Sequence, residues 1–281
     1  MHFPKFWARG ESGGVSCWRW SDSSLADAKD RAQAQARKIA SSLSSNRQVL
    51  QRYGYSDRPL REEILEQVHS PGDTLAAAVT RNAYGCLVLN TSGAMFLDID
   101  AENNNPPRVG IVGLIRRLFA GNASGAVDAA VETTKSKLES WLQLNPAWGL
   151  RLYQTAAGFR LLATHALFDP GKLGSERICD ALAVDPLYRK LCETQQSFRA
   201  RLTPKPWRIG LSACPVRWPW ETREVEQKFK RWWESYNAKA ERFATCRFIG
   251  SFGSTLAHPE LAALVTMHDR ASKAESGLPL A

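Results

Sequence analysis

Short apolar runs closed by turn-forming residues alternate along this chain with longer polar stretches, the pattern of strands interleaved with helices. Val15-Ser16-Cys17-Trp18-Arg19-Trp20 reads as a strand running into Ser21-Asp22-Ser23-Ser24, side chains suited to cap a helix. From Leu25 to about Leu43, Ala, Lys, Arg and Gln predominate, which predicts a helix with a polar outer face. Ser56 or Asp57 then stands ready to cap a short acidic helix over Leu60 to Val68. Glu62 and Glu63 suit the positive end of its dipole.

Tyr84 to Asn90 is apolar and β-prone, Asn90-Thr91-Ser92-Gly93 is turn chemistry, and Ala94 to Asp100 is apolar again, so a β-hairpin is expected. Asn103-Asn104-Asn105-Pro106-Pro107 closes it. Residues 109–144 read as two helical pieces broken at Gly121 to Gly125. A second hairpin follows, Gly149 to Tyr153 and Phe159 to His165 around the turn Gln154 to Gly158. Helices are expected from about Ser175 to Arg199, punctuated at Asp185-Pro186, then an extended Pro-rich stretch from Thr203 to Trp220. A charged helix from Glu221 to about Phe243, a strand from Ala244 to Gly250, and a frayed tail from Ala271 complete the chain. This order predicts an α+β fold in which two hairpins carry the site and helices flank them. The expected division is a strand–helix module over residues 1–75, a core over 76–210, a basic helix and strand packed on it over 211–270, and a flexible tail over 271–281.

Composition sharpens the picture. Of 281 residues, 44% are hydrophobic and 23% charged, which excludes a disordered chain. The net charge of +9 favours polyanionic partners. The excess gathers at Arg189, Lys190, Arg199, Arg201, Lys205, Arg208 and Arg217, and again at Lys228, Lys230 and Arg231. Several tryptophans neighbour basic residues, as in Trp207-Arg208 and Arg231-Trp232-Trp233, and serve either as core anchors or as platforms for bases. The cysteines form no CxxC pair and no zinc-finger spacing, so free thiols in a reducing cytoplasm are expected. No signal peptide and no bilayer-length apolar run is visible, which predicts a soluble cytoplasmic protein without membrane association. P-loop, GxGxxG and GxSxG patterns are absent.

The candidate chemistry begins at Asp98 and Asp100. Alternate residues of a strand share a face, so the two carboxylates stand together and repel unless a cation compensates. Hard divalent ions, Mg2+ or Mn2+, prefer such ligands. On the second hairpin Arg160 and His165 point to opposite faces; either one can meet the acids and bind a nucleotide phosphate. Met267-His268-Asp269 and the loop Gly250 to Ser254 are weaker candidates, a helix face and a surface turn.

Phe96-Leu97-Asp98-Ile99-Asp100 followed by Thr155-Ala156-Ala157-Gly158-Phe159-Arg160 resembles the archaeo-eukaryotic primase superfamily, which includes the primase-polymerases. The resemblance covers about residues 84–210. Its first motif is matched well; in its second, Arg160 stands where histidine is usual, unless Thr164-His165 takes the role. A third motif, one acid after an apolar residue, is met best by Asp185, with Asp180 and Asp169 as rivals. The resemblance implies two-metal nucleotidyl transfer. Asp98, Asp100 and Asp185 would be the catalytic acids, with Asp98 and Asp100 as metal ligands. Thr155, Arg160 and His165 would meet the nucleotide, and Arg199, Arg201, Lys205 and Arg208 the strand. Its partners would be single-stranded nucleic acid and nucleoside triphosphates, with a helicase as a candidate companion. A non-catalytic nucleic-acid-binding protein and a metal-dependent nuclease are the competing classes.

Overall fold

The computed structural model describes residues 1–44, 59–100 and 123–281. Two strands open it, β1 (Phe6–Ser12) and β2 (Val15–Ser21), paired antiparallel about the turn at Gly13 and Gly14, both at positive φ. Helix α1 (Leu25–Ser44) starts where Ser24 Oγ accepts from the Asp27 N–H at 3.0 Å. Its buried face is Ala28, Ala32 and Ala36 at four-residue spacing, small enough for the backbone of β1 to press against it. The closest approach is at Gly10, where a Cβ would lie 2.3 Å from the Ala32 carbonyl carbon. Gly10→Ala is therefore expected to lower stability by about 1–3 kcal/mol, read as a lower urea midpoint. An unchanged midpoint would show that the strand can slide off the helix.

Two antiparallel four-stranded sheets form the body. The first has the order β3-β4-β5-β9, with β3 (Glu63–His69), β4 (Leu75–Arg81), β5 (Leu87–Thr91) and β9 (Phe198–Arg201). The second has the order β10-β7-β8-β6, with β6 (Phe96–Asp100), β7 (Gly149–Thr155), β8 (Gly158–Ala163) and β10 (Cys246–Gly253). The expected α+β class holds, and the hairpin at Gln154 to Gly158 is present as β7–β8.

Other expectations are corrected. The acidic helix over Leu60 to Val68 is instead strand β3, because pairing with β4 and burial of Glu62 outweigh local helix preference. The apolar runs on either side of Asn90 to Gly93 do not form a hairpin. Strand β5 pairs with β4 and β9, β6 pairs with β8, and the turn carries the chain from one sheet to the other. Phe198 and Arg199, placed at the end of a helix, lie in strand β9. The tail is tied down: Ala244 N–H donates to Pro279 O, Ala281 N–H donates to Ala244 O, and Ala281 is buried against Ile209 and Tyr236. The candidate caps Ser56 and Asp57 and the helical piece before residue 123 lie outside the described residues.

One face of the second sheet, with Leu97, Leu152 and Leu161, packs on α2 (Ala123–Leu144), α3 (Arg177–Ala181) and α4 (Pro186–Gln195). Its other face, with Phe96, Tyr153 and Leu162, packs on α6 (Leu261–Ser272) and on Ala77, Leu89 and Ala200 of the first sheet. Helix α5 (Arg223–Ala240) stacks Phe229, Trp232, Trp233 and Tyr236 beside the first sheet, so these tryptophans are packing anchors. The sheet edges β6 and β9 are stitched by Tyr188, whose hydroxyl donates to Phe96 O at 2.7 Å and accepts from Arg199 N–H at 3.2 Å. No helix among the described residues is long and apolar enough to cross a membrane.

Candidate nucleic-acid interface

Antiparallel register sets Asp98 directly opposite Arg160. Of the two basic residues that could meet the acids, Arg160 does so: its Nε donates to Asp98 Oδ1 at 2.9 Å. Arg160 is 1% exposed, and its Nη1 donates to the Arg201 carbonyl at 2.9 Å. The same Nη1 lies 3.4 Å from His268 Nε2, and His268 Nδ1 lies 2.9 Å from Asp269 Oδ1. Because a guanidinium only donates, Nε2 is the acceptor and Nδ1 carries the proton. Burial lowers the His268 pKa, which keeps the imidazole neutral beside the arginine. Asp269 in turn accepts from Arg151 Nη2 at 2.6 Å. A connected network thus holds one guanidinium against one carboxylate where two sheets and α6 meet.

Just beyond Arg201 the chain turns through Leu202 to Pro204 into a single turn of 3-10 helix at Pro206–Ile209. This turn is rigidly mounted. Leu87 N–H donates to Thr203 Oγ1 at 2.8 Å, and the Tyr236 hydroxyl donates to Pro204 O at 2.7 Å. The mount brings Arg201, Lys205 and Arg208 together, all half-buried. No carboxylate pairs with any of the three among the described residues. Burial, with Arg201 and Arg208 adding their repulsion, lowers Lys205 to about 8. Burial lowers Arg201 as well, helped by Arg160, and lowers Arg208, helped by Arg201. Asp98 works the other way on Arg201 and Lys205. Trp207 is 50% exposed, with Lys205 Nζ 5.6 Å from its ring centre and Tyr84 edge-on at 5.1 Å. An exposed aromatic pair beside unneutralised cations can take a base on one and a phosphate on the other.

The remaining predicted residues are placed elsewhere. Arg199 is turned into the first sheet, where Nη2 donates to Glu62 Oε1 at 2.8 Å and Nη1 donates to Asn90 Oδ1 at 2.5 Å. Thr80 Oγ1 donates to Glu62 Oε2 at 2.6 Å, and all four residues are buried. His165 lies on the face away from Asp98, its ring 4.5 Å from that of Trp148 and its Nδ1 accepting from Gly149 N–H at 3.3 Å. Thr155 Oγ1 accepts from Ala157 N–H and shapes the β7–β8 turn.

Asp185 caps α4, its Oδ1 accepting from Leu187 N–H at 2.9 Å. Its backbone N–H also reaches Asp98 O at 3.4 Å, beside a bridge between Ile99 and Val184. Its rivals are committed too, Asp180 to Arg189 and Asp169 to Gly171 N–H. Asp100 pairs with Gly158 at the strand end, and its side chain lies outside the described set.

Among the described residues no group of three or more His, Cys, Asp or Glu side chains could hold a metal ion. One Asp98 oxygen is taken by Arg160 and one Asp185 oxygen by a helix cap. Glu62, Asn90 and Tyr84 escape sequence reasoning because nothing local marks a residue whose partner lies more than a hundred positions away. His268 and Asp269 are visible as a pair, but their contact with Arg160 is not. No protein-family model, curated protein or solved structure matches this chain.

Proposed function

We propose that this protein binds single-stranded nucleic acid, with Arg201, Lys205 and Arg208 on the phosphates and the exposed rings of Trp207 and Tyr84 against the bases. What carries the reading is the convergence of three half-buried cations, from the end of β9 and the rigid turn after it, with no carboxylate partner among the described residues. Clustering like charges in a partly dry site is unfavourable in the free protein, and an incoming phosphate relieves it. Surface lysines and arginines placed only for solubility would sit apart in water.

Fluorescence anisotropy with a labelled oligonucleotide tests this. Arg201→Ala and Arg208→Ala are each expected to weaken binding about tenfold and to reduce the slope of log K against log salt by about one. Lys135→Ala, on α2 and paired with Glu132, should change neither. Equal effects from all three would mean binding through diffuse charge and would sink the cleft reading.

The pH dependence has a definite sign. Lys205 is charged below a pKa of about 8 and neutral above it. Affinity therefore falls severalfold from pH 7 to 9. Lys205→Met weakens binding at pH 7 and flattens that fall. A profile that is already flat in the unaltered protein would remove Lys205 from the contact.

A second reading, primase-polymerase-like nucleotidyl transfer with Mg2+ or Mn2+ at Asp98 and Asp100, is favoured by one observation. The backbone of the Asp98 strand touches that of Val184-Asp185, so the three acids of the resemblance come from neighbouring segments. Metal-dependent extension of a primed template, lost in Asp100→Ala, would support it. Metal-dependent degradation would point to a nuclease instead, and neither product leaves strand binding as the function.

A further inference from the structure

Asp98 is an awkward neighbour for phosphates. Its carboxylate is one guanidinium away from the Arg201 backbone, and its side chain is 34% exposed. Oδ1 accepts from Arg160, while Oδ2 has no partner among the described residues. A site built for anions alone would be better without it, because a carboxylate repels a phosphate and offsets part of the attraction of the cluster. The arrangement is favourable when the ligand carries a hydrogen-bond donor next to its phosphate. The carboxylate is also pre-set for such a donor: Arg160 is locked from behind by the Arg201 carbonyl and His268, so Asp98 accepts without reorganising.

Resting on the strand-binding reading, we infer that this site selects RNA over DNA, with Asp98 Oδ2 accepting the ribose 2′-hydroxyl of a nucleotide whose phosphates lie on Arg201, Lys205 and Arg208. A single guanidinium spans from Asp98 to the backbone carbonyl of Arg201, so the acceptor lies one side chain away from the residue that begins the cationic segment. The bases are left to Trp207 and Tyr84, whose ring faces and edges do not distinguish sugars. The 2′-hydroxyl is the donor that RNA has and DNA lacks. A hydrogen bond to a charged acceptor in a partly buried site corresponds to about tenfold or more in affinity.

The experiment compares labelled oligouridylate, oligodeoxyuridylate and 2′-O-methyl oligouridylate at one salt concentration. The base is constant across the series, and the protein is unaltered, so no variant needs to fold for the result to count. The ribose strand should bind about tenfold tighter than the other two, which should match each other because neither can donate from the 2′ position. Asp98→Ala, checked for folding by circular dichroism, should weaken RNA binding and strengthen DNA binding until the ratio vanishes. Equal, salt-sensitive binding of all three strands would overturn the sugar inference and leave phosphate binding by the cations standing. So would a 2′-O-methyl strand that binds as well as the ribose strand. No binding by any strand would overturn both.

Discussion

Asp98→Ala will lower the unfolding free energy by about 3 kcal/mol, and Arg160→Met will lower it by less. The asymmetry follows from burial. Arg160 is 1% exposed, so removing its counter-charge leaves a guanidinium held only by one carbonyl and a neutral imidazole. Asp98 is 34% exposed on its side chain, so it can turn to water when the arginine is gone. The double variant Asp98→Ala/Arg160→Met should be more stable than Asp98→Ala alone, because the stranded charge disappears with its partner. Denaturant midpoints of the three variants decide it. A loss below about 1 kcal/mol for Asp98→Ala would mean that water already solvates Arg160, against the packing described.

Glu62→Ala is expected to be at least as damaging, about 3–5 kcal/mol. Glu62 receives Arg199 through both carboxylate oxygens and Thr80 through one, and Asn90 closes the network from strand β5. Every member is buried, so alanine leaves an uncompensated arginine and an orphaned hydroxyl inside the first sheet. Glu62→Leu combined with Arg199→Met should recover most of the loss, since paired removal of both charges avoids the desolvation penalty. Its failure to do so would assign the network a role in specifying how β3, β5 and β9 come together. The experiment also separates two roles that net charge confuses. Arg199 lies in the same basic stretch as Arg201, yet Arg199 braces a sheet while Arg201 has no carboxylate partner among the described residues.

That distinction shows what the chain reveals locally. The tract from Leu25 to about Leu43 reads as a helix because Ala, Lys, Arg and Gln predominate in it, and the structure makes Ala28, Ala32 and Ala36 its buried face. The β7–β8 hairpin reads correctly because its turn and both its strands are contiguous. The pairing of Asp98 with a basic residue of that hairpin is foreseeable from strand alternation, but the choice of Arg160 over His165 needs the register, and register is a contact between segments.

The largest departures share one cause. Leu60 to Val68 has helix-forming composition but is drawn into an edge strand by β4, and the turn after Asn90 crosses between sheets rather than folding back. A short segment encodes a preference of a few tenths of a kcal/mol per residue. Sheet pairing and burial of a charge network each exceed it severalfold. By itself, the sequence determined the α+β class, the excess of positive charge, the β7–β8 hairpin and Asp98 as a carboxylate on a mostly apolar strand. Only the tertiary structure decided which cations converge without a carboxylate partner among the described residues, and which are buried in ion pairs. Partners that are distant in sequence make those choices, and no local pattern carries their position.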